Sequence, residues 1–168
     1  RIAVQAATAA GAARVVAAGR DEGRLQALAA ATGCATVPLG PEALDPARLE
    51  AAAGGPLDVI VDPLWGEPAL AAMAAAAQRG RLVQLGQRAG ATIELPAALI
   101  RSRRLELIGV SGALESHPDR AAAYARLMEL IAAGRVQVEF EQVPLERVED
   151  AWRQQAAGAA TTKLVVTP

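Results

Sequence analysis

What most constrains this chain is a rhythm. Short apolar strand-like runs alternate with longer helix-like segments, and glycine stands at many of the joins. The clearest strand is Asp58-Val59-Ile60-Val61-Asp62, β-branched at its centre and bounded by Gly55-Pro56 and Pro63. Around it, apolar spacing predicts helices over 2–10, 23–31, 67–79, 95–102, 118–133 and 145–157. Strands are expected over 14–18, 35–39, 81–85, 105–110, 136–143 and 164–167, with a loop and helix over 41–53. Gly11, Gly33, Gly80 and Gly134 read as helix stops, and Pro68 suits the first turn of its helix. Strands and helices alternating at this spacing predict an α/β fold, a parallel sheet covered on both faces. Right-handed crossovers then make it doubly wound.

Composition narrows the function classes. The 168 residues are 52% apolar, enough for one sizeable core. Seventeen basic and eighteen acidic residues leave a net charge of −1, with no basic excess to attract nucleic acid. Aromatic residues are 2% of the chain, which argues against a base-stacking surface. No apolar run approaches the ~20 residues of a membrane span, and Arg1 leads into an amphipathic segment instead of a signal peptide. A single cysteine rules out a disulfide within the chain and fits a reducing cytoplasm, the expected location.

In an open parallel sheet, ligands sit beyond the carboxyl ends of the strands. Those ends read Gly19-Arg20-Asp21, Leu39-Gly40, Asp62-Pro63-Leu64-Trp65-Gly66, Gly86-Gln87-Arg88 and Ser111-Gly112. Glycine recurs there, allowing close backbone approach to a ligand. An NAD site wants an acid after the second strand of such a fold, to accept from the ribose 2′-OH. Gly19 stands at that place, with Arg20 next and Arg24 a helical turn on. Glycine leaves room for a 2′-phosphate and arginine can fork onto it, so NADPH is favoured over NADH. Two alternatives stay open: both arginines are solvated surface residues, or Asp21 or Glu22 replaces the missing acid instead of serving the next helix N-terminus.

Other conspicuous residues have plain readings. Cys34 is expected as a small buried residue and His117 as a capping or surface residue. Asp62 should orient loop backbone, Tyr124 and Met128 should pack a helix, and Trp152 should anchor the last one.

The segments 6–16, 58–66, 80–86 and 162–166 resemble, in order and spacing, the medium-chain dehydrogenase/reductase superfamily, with the NADPH:quinone oxidoreductase (zeta-crystallin-like) branch nearest. The resemblance implies a Rossmann-type domain over 1–135 and, over 136–168, a segment returning to a catalytic domain. It also implies that a glycine-rich phosphate loop and the first, central strand precede Arg1 in a longer protein. Carried onto this chain, Gly19, Arg20 and Arg24 surround the adenosine ribose and its 2′-phosphate. Leu64, Trp65 and Gly66 lie toward the nicotinamide ribose, Gly86 and Gln87 near the nicotinamide. Ser111 and Gly112 close the last strand of the domain, and Lys163 reaches the pyrophosphate. The strand from Leu105 to Val110 is the implied edge of a homodimer. The implied activity is NADP(H)-dependent hydride transfer to a small-molecule quinone or activated enone. A zinc-dependent alcohol dehydrogenase, its metal ligands lying in the catalytic domain, is the alternative within the superfamily. A non-catalytic nucleotide sensor is the alternative outside enzymes.

Overall fold

The computed structural model describes residues 1–40, 44–160 and 162–168. Residues 41–43, the start of the expected 41–53 loop, lie outside the described residues. The elements are α1 (Ile2–Ala9), β1 (Val16–Gly19), α2 (Glu22–Thr32), β2 (Ala35–Pro38), α3 (Pro46–Ala53), β3 (Leu57–Asp62), α4 (Gly66–Ala74) and β4 (Ala76–Gln84). After them come α5 (Ala97–Arg103), β5 (Glu106–Gly109), α6 (His117–Ala132), β6 (Phe140–Pro144), a 3-10 turn (Leu145–Arg147), α7 (Val148–Ala156) and β7 (Lys163–Thr167). The fold is α/β of Rossmann type, and every strand pairing is parallel.

Local chemistry sets the helix boundaries. Asp21 caps α2 by accepting from the Arg24 amide, and Gly33 ends it in the left-handed conformation. Asp45 and Gly54 do the same for α3, with Pro46 in its first turn. The Ser116 hydroxyl, and not His117, accepts from the Asp119 amide and caps α6.

The strands fall into three sheets, ordered β1-β2, β3-β4-β5 and β6-β7. In the order expected from sequence, a central strand stands between β1 and β3. Among the described residues nothing occupies that place, and both strands keep one edge without a strand partner. Among the described residues, two hydrophobic clusters hold β1 to β5 and their helices together. Val37, Leu49 and Ala75 pack with Val16 and Leu57, tying β1-β2 to α3, α4 and β3. Ala69, Met73 and Leu82 pack with Ile60, Trp65, Leu99 and Leu105 between the larger sheet and its helices. Met73 and Leu82 are fully buried, so truncating either to alanine costs about 2–5 kcal/mol.

Several expectations are corrected. The helix foreseen over 67–79 stops at Ala74, and β4 begins at Ala76. Gly80 is therefore a strand residue. Its Cβ would meet the carbonyls of Ala77 and Leu57 at 3.0 Å, while Arg79 beside it takes φ 61°. The pairing slips there, from Leu57↔Ala76 to Val59↔Arg81, so the extra residues form a bulge. An alanine run is apolar at every period, which is why the sequence pattern read through this break. Of the strand expected over 136–143, only Phe140 onward joins a ladder, and the last helix opens with a 3-10 turn. Tyr124, Met128 and Trp152 are exposed, Trp152 by 75%, so none of them anchors a helix in this chain. Cys34 is buried, as expected. No helix among the described residues is long and apolar enough to cross a membrane.

Candidate functional site

The carboxyl ends of β3, β4 and β5 converge on two interlocked loops. Asp62 ends β3 and is 5% exposed. One of its carboxylate oxygens accepts from the Leu64 amide at 2.9 Å, and both accept from the Trp65 amide at 3.1 Å. This confirms the backbone-orienting role read from sequence. The bonds hold Trp65 at φ 56°, ψ −157°, a region that side-chain-bearing residues enter only when surroundings compel them. The second loop is stitched to the first: the Leu85 amide donates to the Asp62 carbonyl and the Ala89 amide to the Leu64 carbonyl, each at 2.8 Å.

Packing between these loops explains two glycines. A Cβ on Gly66 would stand 2.9 Å from the Ala89 carbonyl oxygen, and one on Gly86 would stand 2.9 Å from that of Pro63. Both are therefore required by the loops themselves, a reason for glycine that stands beside the ligand approach read from sequence.

Beside the loops lies a cleft of about 390 Å³. Trp65 and Gln87 line it from the loops, Leu82 and Gln84 from β4, Leu107 and Ile108 from β5. Sequence reasoning missed Gln84. Its amide donates to the Gly86 carbonyl at 2.7 Å, leaving its own oxygen available. The available signal was a polar residue inside the apolar run Arg81-Leu82-Val83-Gln84-Leu85.

Gly19, Arg20 and Arg24 form a second group, at the end of β1 and the start of α2, while Ser111 and Lys163 lie apart from it. Gly19 is built differently from Gly66 and Gly86. A Cβ there would touch only the Leu25 side chain at an ordinary 3.5 Å. Arg20 is exposed and makes no ion pair among the described residues. Arg24 pairs with Asp21 at 3.1 Å and donates to the Ala160 carbonyl at 3.0 Å. Lys163 opens β7, exposed and in the third sheet; the Arg24–Ala160 bond draws the segment before it toward α2. Ser111 follows β5, its carbonyl accepting from the Leu114 and Glu115 amides in a tight turn. The cleft unites Trp65 and Gln87, while Gly19, Arg20, Arg24, Ser111 and Lys163 are not among the residues lining it.

A parallel α/β fold with a cleft at its strand ends defines a Rossmann-type nucleotide-binding class. Within it, the chain belongs to the zinc-binding dehydrogenase family, whose model matches residues 39–166, and so to the medium-chain dehydrogenase/reductase superfamily. Among solved structures it is similar to a mycobacterial quinone oxidoreductase, with TM-score 0.85 at 18% identity over 99% of this chain and 52% of that one. An NAD-dependent alcohol dehydrogenase matches with TM-score 0.77 at 25% identity, covering 99% of this chain and 47% of that one. CurA from Vibrio vulnificus, solved with NADPH, matches with TM-score 0.70 at 18% identity over 92% and 49%. The chain thus spans about half the length of the structures it matches. No curated protein sequence matches it.

The family's description raises zinc. The described residues do not fit a zinc ion. No three of His, Cys, Asp and Glu come together among them. Cys34 is buried before β2 and His117 is exposed at the head of α6.

Proposed function

We propose that this chain supplies the nucleotide-binding part of an NADP(H)-dependent oxidoreductase that passes hydride to a quinone or an activated enone. The observation that carries the reading is the turn after β1. Gly19 there is not demanded by packing. Asp21, the nearest acid, is already engaged as the cap of α2 and the partner of Arg24. The next acid, Glu22, opens α2, where its charge favours the helix N-terminus, and Arg20 is exposed beside Gly19 to meet a phosphate. Arg24 would join Arg20 by exchanging Asp21 for the more highly charged phosphate.

Toward the other end of the nucleotide, Leu64, Trp65 and Gly66 would flank the nicotinamide ribose. Gly86, Gln87 and Ser111 would lie around the ring, and Lys163 near the pyrophosphate. When bound, the cofactor supplies the hydride. The residues' task is positional: the Asp62-braced loop and the Gly86 loop fix the walls against which two flat reactants are held. A quinone accepting hydride needs one proton to become the hydroquinone, and solvent can provide it, so no acid from this chain is required.

The test is comparative affinity in the protein carrying this chain. Kd for NADPH is expected to be at least tenfold below that for NADH, with NADPH oxidised by menadione. Equal affinities, or no oxidation by quinones and enones, would overturn the reading. The family's zinc-binding description favours a second reading, a zinc-dependent alcohol dehydrogenase. One tightly held zinc per subunit in elemental analysis, with alcohol oxidation, would establish it. The proposal extends to assembly: β5 is an outer edge with exposed Leu107 and Ile108, and we expect it to pair with its copy in a homodimer.

A further inference from the structure

We infer that Trp65 is a specificity-determining residue of the cleft, its indole serving as the face on which a flat, uncharged conjugated ring is held. The inference rests on the proposed function for the chemistry of that ring, but its geometry stands by itself. Three observations meet at this residue. The first is conformational: Trp65 keeps a backbone geometry in which glycine is at ease and tryptophan is not. The second is the effort spent on holding it there. A buried carboxylate commits both oxygens to its amide, and Gly66 beside it abuts the Ala89 carbonyl, so the loop has no room to relax. The third is where the residue ends up, half-buried, packed against the Ala69, Met73 and Leu82 cluster and lining the cleft together with Leu107 and Ile108 of β5.

The lining states what the cleft accepts. Among the described residues that line it none is ionisable, so a carboxylate or phosphate against them would lose water without a counter-charge. An indole face and the side chains of Leu82, Leu107 and Ile108 suit a planar ring. Gln84, with one of its two amide N–H groups on Gly86, offers an acceptor oxygen, while Gln87 is exposed and keeps both donor and acceptor. A carboxamide, with an N–H and a carbonyl oxygen, can pair with both; a quinone carbonyl, an acceptor only, can take an N–H from Gln87. That chemistry has two sources in the proposed reaction: the acceptor quinone and the dihydronicotinamide.

The experiment labels the protein with 5-fluorotryptophan and follows the Trp65 fluorine resonance, assigned by its loss in Trp65→Phe. Trp152, exposed on α7, serves as the internal control. Menadione, NADPH and 2′-phospho-ADP-ribose are titrated separately. A ring-current shift at Trp65 with menadione alone supports the inference and assigns the ring to the acceptor. A shift with NADPH that 2′-phospho-ADP-ribose does not reproduce supports it and assigns the ring to the dihydronicotinamide. No shift at Trp65 with either, at concentrations that saturate binding, overturns it. Kinetically, Trp65→Phe is expected to keep KM for the ring-bearing reactant within threefold, and Trp65→Leu to raise it at least tenfold with kcat within threefold. Equal KM values in the two variants would also overturn it. Failure of the proposed function looks different: the shift is present but no hydride reaches quinone or enone.

Discussion

The two halves of the candidate site use the same residue types for opposite ends. After β1, Gly19 is free of steric demand and Asp21 is an exposed cap. After β3, Gly66 is wedged against backbone and Asp62 is a buried brace. Glycine followed by a helix therefore marks room for a ligand in one half and loop-to-loop closure in the other. The first half can change its side chains to suit a cofactor. The second is a rigid wall whose shape is set before any ligand arrives.

This contrast orders the expected effects of mutation. Gly66→Ala combines a left-handed φ of 64° with a 2.9 Å approach to a carbonyl and should be the most damaging, about 2–4 kcal/mol from strain and overpacking together. Thermal denaturation should show a Tm loss on the order of ten degrees, and an unchanged Tm would break the rigid-wall picture. Asp62→Ala strands the Leu64 and Trp65 amides and should cost about 1–3 kcal/mol, read as a shift in denaturant midpoint. The sharpest test of the other half is Gly19→Asp. It should leave Tm nearly unchanged, yet weaken NADPH relative to NADH by about tenfold, ~1.4 kcal/mol. If instead it unfolds the protein, the two halves are alike after all. Asp21→Ala, the exposed counterpart of Asp62→Ala, removes only a helix cap and should cost about 1 kcal/mol, the smallest loss of the series.

Much of this was legible in the sequence because the strands are short and well bounded. Asp58 to Asp62 declared itself through β-branched residues between prolines, and the fold class followed from the alternation. The role of Asp62 was also readable, since an acid ending a strand before Pro63 has only loop amides to serve. What the sequence could not carry was distance. Gly86 looks the same as Gly19 until the Pro63 carbonyl is brought against it by Leu85 and Asp62 pairing across strands. The alanines from Ala74 to Ala77 satisfy a helix and a strand equally, so the start of β4 depended on the Leu57 amide reaching the Ala75 carbonyl. Tyr124 and Trp152 were expected to pack because large aromatic residues usually do.

The difference in strand pairing between β4 and β1-β2 has a consequence in time. β4 is flanked on both sides within its sheet, whereas among the described residues β1 and β2 pair only with each other. A two-stranded sheet is marginal by itself and depends here on α2 and α3 lying against it. Local opening is cheapest where the fewest partners must be released. In deuterated water the amides of β1 and β2 should therefore be replaced first and those at the centre of β4 last. The part of the chain proposed to choose the nucleotide would breathe on a faster clock than the part that shapes the cleft.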